Sequence, residues 1–274
     1  MRWGEGPEYP DDVPTAAVNG QRLHYVDTGG TGPAVVLSHG FLMDHTMFES
    51  QIAALAPEYR VVAWDERAFG ATGWDGRPFT YWDSARDCLA LMDHLGIERA
   101  VLAGMSQGGF ISLRAALLAP ERVRAIVLID SGSDVDDAAT LAAYRGMVDA
   151  WMAQGPIAPL AEAIAGIIIA KPEEHPRWIA KWQVLPREAL RAASDCLLDR
   201  EDVTDRLGEI GCPVQIIHGT ADTAISMARA EKARAGLRGA EPIVAIEGAA
   251  HAANLTHPHL VNPPLLDFLR RVTR

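Results

Sequence analysis

The sequence has few of the residues that mark disulfide-rich, metal-binding or membrane proteins. Its 274 residues include only three cysteines, Cys88, Cys196 and Cys212, whose wide spacing fits neither a disulfide framework nor a CxxC metal site. We therefore interpret them as reduced structural thiols. No apolar run approaches the ~20 residues that a membrane-spanning helix needs, and residues 1–13 are polar and proline-rich rather than signal-peptide-like. These absences favour a cytoplasmic protein.

Basic residues are also scarce relative to acidic ones. The chain has 25 Lys and Arg against 36 Asp and Glu, which gives a formal net charge of −11. Because such a surface repels nucleic-acid phosphates and anionic lipids, we expect no nucleic-acid partner and no membrane partner. A small molecule is the expected ligand, and association into a homodimer is left open.

Short apolar runs alternate with helix-patterned segments along much of the chain. Four runs have the composition of strands buried on both faces: Ala34–Ser38, Val61–Trp64, Ala100–Ala103 and Ala125–Ile129. The segments between them repeat apolar residues at helical spacing: Met47–Ala56, Ser84–Leu95 and Gly108–Leu118. This alternation predicts a mainly parallel sheet with helices on both faces. Near the start of the chain, Asn19-Gly20 between Ala16–Val18 and Leu23–Val26 predicts a hairpin of two further strands.

The alternation stops after residue 132 and resumes near residue 206. Strands and helices are again expected at Val214–His218, Ser226–Ala235, Ile243–Ile246 and Pro263–Arg271. The residues between have helical patterns, no convincing strand, and prolines expected to stop helices: Pro156, Pro159, Pro172, Pro176 and Pro186. We predict an α/β fold with a mostly parallel eight-stranded sheet formed by residues 1–132 and 206–274. A helical insertion occupies residues 133–205, after the sixth strand.

The strongest chemical signal is the sequence Gly104-Met105-Ser106-Gln107-Gly108-Gly109. It follows a predicted strand and precedes a predicted helix, which is the context that gives the G-x-S-x-G pattern its meaning. The turn is so tight that a Cβ at either glycine of the pattern would collide with neighbouring backbone. Ser106 is then held in a strained conformation at the carboxyl edge of the sheet, near the positive end of the following helix dipole. We predict that Ser106 is a nucleophile.

A serine nucleophile needs a base, and the base needs an orienting acid. Asp222 follows the strand Val214–His218, and His251 follows the strand Ile243–Ile246. Since the carboxyl ends of parallel strands meet at one edge, we predict His251 as the base and Asp222 as the acid. Asp130 also ends a strand on this edge, and it is the alternative acid or a hydrogen-bonding residue at the entrance to the insertion.

The loop after Ala34–Ser38 is expected to complete the site. An oxyanion needs two backbone donors, and we predict the N–H groups of Gln107 and Phe41. We interpret His39 as a structural residue that holds this loop through its ring nitrogens. The pair Asp44-His45 is either the polar start of a helix or a contact for substrate.

Taken together, these motifs resemble those of the α/β-hydrolase fold family over nearly the whole chain. The residues that carry the resemblance are His39-Gly40-Phe41, Asp65-Glu66-Arg67-Ala68-Phe69-Gly70, Gly104–Gly109, His218–Asp222 and Gly248–His251. Family members commonly read D-x-R-G-x-G-x-S after the fourth strand, whereas Ala68 and Thr72 replace the first Gly and the Ser here. The chain is most similar to 3-oxoadipate enol-lactonases, acyl-homoserine lactonases and cofactor-free haloperoxidase-type esterases. The resemblance implies a serine hydrolase in which the insertion at residues 133–205 is a helical cap (lid).

The expected reaction is cleavage of a carboxylic ester or lactone of a small, fairly apolar molecule through an acyl-enzyme on Ser106. No cofactor is expected. No metal is expected either, because His257 and His259 lack a third ligand. Candidate pocket residues are Leu42, Met105, Trp151, Met152, Trp178 and Trp182, although helical spacing also fits packing between cap and core. Basic residues of the insertion either hold a substrate carboxylate or form a solvated face: Lys171, Arg177, Lys181, Arg187 and Arg191.

Two other functions stay open at this point. The tail from Gly248 to Leu255, followed by His257-Pro258, is similar to that of meta-cleavage-product hydrolases, which break a C–C bond with the same triad. A ligand receptor that retains the triad but turns over slowly would also carry these motifs, because a fold and its triad do not by themselves assign a physiological role.

Overall fold

A computed structural model describes residues 14–274 of the chain, so residues 1–13, on which the signal-peptide expectation rests, lie outside the described residues. The described chain forms one sheet of eight strands. The strands are β1 Thr15–Val18, β2 Gln21–Asp27, β3 Ala34–Ser38, β4 Arg60–Trp64, β5 Ala100–Met105, β6 Val123–Ile129, β7 Val214–Gly219 and β8 Val244–Ile246. Seven of them include the predicted apolar runs, and β8 begins one residue later than predicted.

The sheet has the order β1-β2-β4-β3-β5-β6-β7-β8. The hairpin β1–β2 is antiparallel, and β2 also pairs antiparallel to β4. All other pairs are parallel, which confirms the predicted α/β architecture. Because β3, β5 and β6 lie in the middle of this order, their carboxyl ends meet at the centre of one edge, where ligands bind in open α/β sheets.

Ten α-helices connect the strands in the described part of the chain. They are α1 Glu49–Leu55, α2 Tyr81–His94, α3 Gln107–Leu118, α4 Ala138–Gln154, α5 Ala158–Ile168, α6 His175–Trp182, α7 Arg187–Leu198, α8 Met227–Gly236, α9 Ala253–Thr256 and α10 Pro258–Val272. Helix α1 packs against α10, and α2 packs against α3, so two helix pairs cover the sheet. We refer to α4–α7, which lie between β6 and β7, as the cap helices.

Three of the five prolines expected to stop helices in the insertion lie at the starts of α-helices instead, whereas Pro156 follows the C-cap residue of α4 as expected. Pro159 and Pro176 occupy the first turns of α5 and α6, and Pro186 is the N-cap residue of α7. A proline is well tolerated there because its missing N–H would have no intrahelical acceptor. Helix α10 also begins at Pro258, five residues before the predicted Pro263, with Pro263 and Pro264 inside it.

The basic residues of the insertion form ion pairs and hydrogen bonds within the protein. Arg191 pairs with Asp149 at 2.6 Å, and Arg187 donates to the carbonyl of Met152, which ties α7 to α4. Lys181 contacts Asp44 at 2.5 Å. Arg177 pairs with Glu49 on α1, and Lys171 lies 3.9 Å from Glu173. These contacts leave the basic residues engaged in joining the cap to itself and to the core.

The three cysteines are unpaired thiols, as the sequence predicts. Burial raises the pKa of Cys88 to about 12 and that of Cys212 to about 11, and it also raises the pKa of Cys196. Such thiols stay protonated at neutral pH and are poor nucleophiles. Over residues 14–274, no helix is both long enough and apolar enough to cross a membrane.

Candidate active site

Ser106 lies in the sharp turn between β5 and α3. Its φ is 51°, a left-handed value that costs a non-glycine residue on the order of 1–3 kcal/mol. The flanking glycines permit this turn, because a Cβ on Gly104 would overlap the carbonyl of Gly108, and a Cβ on Gly108 would overlap the carbonyl of Ser38. The predicted collision with neighbouring backbone is therefore present at both positions. As a result the Ser106 side chain sits at the carboxyl end of β5.

Ser106, His251 and Asp222 form a continuous hydrogen-bonded chain. Ser106 Oγ is 2.9 Å from His251 Nε2, and His251 Nδ1 is 2.9 Å from Asp222 Oδ2. All three side chains are at least nine-tenths buried. A hydrogen bond from Nδ1–H to Asp222 leaves the lone pair of Nε2 facing the serine hydroxyl. This arrangement can remove the hydroxyl proton as the oxygen attacks.

Asp222, in the loop after β7, is held in its ionised form by His251 and by backbone N–H groups. Its Oδ1 accepts hydrogen bonds from the backbone N–H groups of Ala224 and Ile225, at 2.8 and 2.9 Å. Burial opposes ionisation, but the charge and hydrogen bond of His251 and the N–H of Ile225 outweigh it and hold the pKa of Asp222 below its usual value. His218 Nε2 lies 3.4 Å from the same carboxylate and donates to the carbonyl of Ile225.

Asp130, the alternative acid, has a different position. Its two oxygens accept hydrogen bonds from the backbone N–H of Gly219 at 2.7 Å and of Ala253 at 2.9 Å. It makes no hydrogen bond to His251. Burial, together with the nearby charge of Asp222, raises the pKa of this carboxyl well above its usual value. Asp130 thus links the loops that carry Asp222 and His251, which corresponds to the hydrogen-bonding role considered from the sequence.

The loop after β3 carries the first predicted oxyanion donor. Phe41 lines the same cavity as Ser106. Within residues 14–274, neither its N–H nor that of Gln107 has a hydrogen-bond acceptor, so both donors are available. His39 supports this loop as predicted: its Nδ1 lies 2.8 Å from the carbonyl of Gly40, and its Nε2 accepts the N–H of Glu66.

Two cap residues also fasten this loop. Trp182 Nε1 donates to the carbonyl of Leu42 at 2.6 Å, and Leu42 has a φ of 61°. Lys181, one residue earlier on α6, pairs with Asp44. Asp44 in turn caps the short 3-10 helix that begins at His45, which agrees with the first of its two predicted roles. The cap therefore contacts the loop that carries the Phe41 N–H.

A cavity of about 130 Å³ lies between Ser106, His251 and the cap. Three of the predicted pocket residues, Leu42, Met105 and Trp151, line it. Most other lining residues are apolar and come from α3, the cap helices or the loop after β7: Phe110, Met147, Val148, Ile164, Ile167, Ile168, Leu190, Leu197, Leu198, Ala224 and Ile225. The cavity thus presents an apolar surface to a ligand beside the serine.

The other three predicted pocket residues do not line this cavity. Met152 follows Trp151 by one helical step of ~100° and lines a second cavity instead. Trp182 is engaged with the Leu42 carbonyl. Trp178, one turn before it, is buried beneath the side chains of Arg177 and Lys181. The two tryptophans share the face of α6 that packs on the protein, so their apolar character reflects packing.

Four polar residues that were missed in the sequence also line the cavity. They are Asp136, Tyr144, Ser194 and Arg200. No motif marks them, because Asp136 and Arg200 lie in irregular segments that flank the cap helices. Asp136 and Arg200 form an ion pair at 2.9 Å. Only the tertiary structure brings these segments together.

The segment after β4 departs from the common family pattern yet keeps its hydrogen bonds. Ala68 has a φ of 70°, which is the conformation that glycine favours. Thr72 Oγ1 donates to the carbonyl of Asp65 and accepts the N–H of His24. The threonine thus provides a hydroxyl where the family commonly has serine.

Two groups of side chains in the described chain have potential metal ligands within 4.8 Å of one another: His24, His45 and Asp65, and Asp130, His218 and Asp222. The carboxylates in both groups already accept hydrogen bonds from protein N–H groups. Asp65 accepts from the N–H of His45 and of Ala71 and lies 2.8 and 2.7 Å from the ring nitrogens of His24 and His45. The rings of His257 and His259 have centroids 6.2 Å apart. We assign these groups no metal-binding role.

Comparisons with known proteins agree with this geometry. The family model of the alpha/beta hydrolase fold matches residues 33–177. The chain is 26% identical to 3-oxoadipate enol-lactonase 2 of Acinetobacter baylyi, over 91% of this chain and 93% of that protein. A thermophilic esterase from Thermogutta terrifontis superposes with a TM-score of 0.85 at 27% identity, covering 96% of this chain and 98% of the esterase. The enol-lactonase from Burkholderia xenovorans LB400 superposes with a TM-score of 0.86 at 26% identity, covering 94% of this chain and 100% of the enol-lactonase. The chain belongs to the alpha/beta hydrolase fold family.

Proposed function

We propose that this protein hydrolyses carboxylic esters or lactones of small, neutral, fairly apolar molecules through an acyl-enzyme on Ser106. The observation that carries the proposal is the hydrogen-bonded chain from Asp222 through His251 to Ser106 Oγ, next to a cavity with mostly apolar walls. The relatives named as an esterase and as enol-lactonases support ester chemistry.

In the first half of the reaction, His251 Nε2 takes the proton of Ser106 as Oγ attacks the carbonyl carbon. Asp222 keeps the proton of His251 on Nδ1 and stabilises the imidazolium that forms. The tetrahedral oxyanion accepts hydrogen bonds from the N–H groups of Phe41 and Gln107. Its collapse breaks the bond to the alkoxy oxygen, which leaves with the proton held on Nε2. In a lactone the leaving oxygen stays attached to the acyl group.

In the second half, water replaces the alcohol. His251 removes a proton from this water, whose oxygen attacks the acyl carbon and again produces an oxyanion beside the same two N–H groups. Collapse releases the carboxylic acid and returns the proton to Ser106 Oγ. The strained position of Ser106 favours both steps, since the serine is held at the cavity wall with its hydroxyl already bonded to the base.

The cavity walls support a neutral substrate. Arg200 is the cationic side chain among the lining residues, and its guanidinium is paired with Asp136, also a lining residue. The basic residues of the insertion that could have bound a carboxylate are engaged in ion pairs or backbone contacts. A carboxylate in the cavity would lose its water shell without gaining an unpaired cation.

The test is hydrolysis of a panel of p-nitrophenyl esters and simple lactones by the wild type and by Ser106→Ala. We expect wild-type turnover of esters with short neutral acyl chains. Ser106→Ala should lower kcat by about 10⁴-fold or more, because removal of a triad nucleophile has effects of this order. Circular dichroism of the variant controls for its fold.

The other outcomes separate the alternatives. Turnover that survives Ser106→Ala would reject the acyl-enzyme mechanism. A wild type inactive on esters and lactones but active on a vinylogous 1,5-diketone would identify a C–C hydrolase. Ligand binding that changes the cap without turnover would identify a receptor.

A further inference from the structure

The active-site cavity has two chemically different ends. Most of its wall is apolar and belongs to α3, α4, α5 and α7, whereas Asp136, Tyr144 and Arg200 line a polar end. These three residues come from the segment before α4, from α4 itself and from the segment after α7. Ala224 and Ile225, whose N–H groups bind Asp222, line the same cavity. A substrate that fills the cavity therefore places one of its parts against polar groups.

The charges at this polar end compensate one another. Asp136 contacts Arg200 at 2.9 Å and Arg229 at 2.5 Å through its two oxygens. Arg229 also contacts Asp134 at 2.7 Å. Further donors of Arg200 bind the carbonyls of Leu197 and Asp134. An anionic group of a substrate would meet Asp136 beside a cation that is already paired, so the polar end suits an uncharged group.

Tyr144 differs from Asp136 and Arg200 because its hydroxyl is uncommitted; Ser194, which also lines the cavity, has an unpartnered Oγ too, but that atom is buried with almost no accessible surface. Across residues 14–274, Tyr144 Oη has no hydrogen-bond partner, although the residue lines the cavity. Burial, followed by the charge of Asp136, raises the pKa of this phenol, so the hydroxyl stays protonated and can donate. A half-buried donor that faces no protein acceptor is a natural contact for an oxygen of the ligand.

We propose that Tyr144 Oη binds an uncharged oxygen of the substrate, so that the preferred substrates carry a neutral acceptor, such as a carbonyl, ether or hydroxyl oxygen, in addition to the scissile ester. This inference rests on the proposed ester hydrolysis and specifies the substrate class of the same cavity. The apolar wall then receives the hydrocarbon part of the substrate, and Tyr144 selects among molecules of similar size.

The test compares esters that differ by one oxygen. The p-nitrophenyl esters of methoxyacetate, 3-methoxypropanoate and 4-methoxybutanoate are paired with those of butanoate, pentanoate and hexanoate, in which a methylene replaces the ether oxygen. We expect the wild type to have a higher kcat/KM for the ether in at least one pair. In Tyr144→Phe, the ether-to-alkyl ratio of that pair should fall about tenfold, the effect of losing one hydrogen bond.

Tyr25→Phe is the matched control, because Tyr25 lies on β2 and its ring packs on His94. It should leave the ratio at the wild-type value. An absent ether preference in all three pairs, or a preference that survives Tyr144→Phe, would overturn the inference. The expectation that the substrate is uncharged is tested separately with the mono-p-nitrophenyl ester of glutaric acid, which carries a carboxylate. Its kcat/KM should lie at least tenfold below that of the hexanoate, and a faster reaction would overturn that part.

These outcomes are distinct from failure of the proposed function. If wild type and Ser106→Ala hydrolyse the alkyl esters equally, or neither does, the ester hydrolase proposal fails and this inference fails with it. If alkyl esters are hydrolysed in a Ser106-dependent manner but the ether-to-alkyl ratio does not respond to Tyr144→Phe, only this inference fails.

Discussion

The carboxyl edge of the sheet and the cap are held in place by different physical means. Just after each of the four strands β3, β4, β5 and β6 stands a non-glycine residue with positive φ: Leu42, Ala68, Ser106 and Asp130. The insertion has one such residue, Ala170, and its helices are joined by ion pairs between partly exposed side chains, such as Arg191 with Asp149. Backbone conformation therefore fixes the edge, whereas side-chain contacts position the cap.

This difference has consequences for function. A strained backbone held by buried neighbours defines the position of a nucleophile closely. Exposed ion pairs contribute little stability each, about 0–1 kcal/mol. We therefore expect the triad to tolerate little change and the exposed ion pairs of the cap to tolerate substitution, unlike the cap residues that contact the edge. Trp182 and Lys181 make that contact, through Leu42 and Asp44.

Trp182→Phe tests this contact and has the largest effect expected among the variants that probe how the edge and the cap are held. The substitution keeps an aromatic ring but removes the Nε1 donor that holds the Leu42 carbonyl, next to the Phe41 N–H. We expect kcat for a p-nitrophenyl ester to fall about tenfold with little change in KM, because a misplaced oxyanion donor acts on the transition state. The measurement is steady-state kinetics with both parameters resolved.

Trp178→Phe is the control for this experiment. Trp178 is equally buried on the same helix, but its Nε1 has no hydrogen-bond partner in the described chain. Trp178→Phe should therefore lower kcat far less than Trp182→Phe does. Equal losses in the two variants would mean that ring size, rather than the hydrogen bond to Leu42, links the cap to the edge.

Ala68→Gly tests whether the backbone with positive φ after β4 is strained. A buried Ala→Gly change usually costs the free energy of the lost methyl, about 0.8 kcal/mol. At Ala68 this loss, together with the about 0.4–1 kcal/mol that glycine costs through unfolded-state entropy, is offset, since glycine adopts a φ of 70° without the roughly 1–2 kcal/mol that a Cβ costs there. We expect the free energy of unfolding in urea to change by less than about 0.5 kcal/mol.

The matched control is Ala85→Gly. Ala85 is buried within α2, where glycine loses both the methyl and about 1 kcal/mol of helix propensity. Its free energy of unfolding should fall by more than 1 kcal/mol. Similar losses at residues 68 and 85 would show that the positive φ after β4 is not strained.

The smallest expected effect is a pH dependence of the free energy of unfolding, which arises from His45 at the carboxyl edge. Burial disfavours the charged form of His45, but the hydrogen bond and charge of Asp65 outweigh it and raise the pKa of His45. Stability from a raised histidine pKa is fully present below the unfolded value near ~6.5 and is lost as pH rises through the folded value. His45→Asn should therefore lower the free energy of unfolding more at pH 5.5 than at pH 8.5. A deficit that grows with pH would contradict this.

Part of the site could be read from the sequence because its determinants are local. Ser106 is marked by glycines two residues on either side, and those glycines are required by the backbone of a single turn. Asp222 and His251 each follow an apolar run, and parallel strands deliver such residues to one edge. The exact strand ends did not matter: β8 begins one residue later than predicted, and His251 still reaches Ser106.

The cap could not be read in the same way. Trp151 and Met152 are neighbours of similar character, but helical phase directs one into the active-site cavity and the other into a second cavity. Pro159 and Pro176, which were predicted to stop helices, lie in the first turns of α5 and α6, because a missing N–H is tolerated there. Tyr144 belongs to a helix without a marked apolar face, so no pattern separated it from its neighbours.

The sequence by itself determined the α/β fold, the family and the order in which Ser106, Asp222 and His251 occur along the chain. Tight turns and buried strands leave signals within a few residues, and parallel pairing brings those signals together. Only the tertiary structure decided that Asp130 links two loops, that Trp182 holds the loop of Phe41, and that Tyr144 lines the cavity. These roles depend on which faces of distant elements meet, and that information lies in the packing of the whole chain.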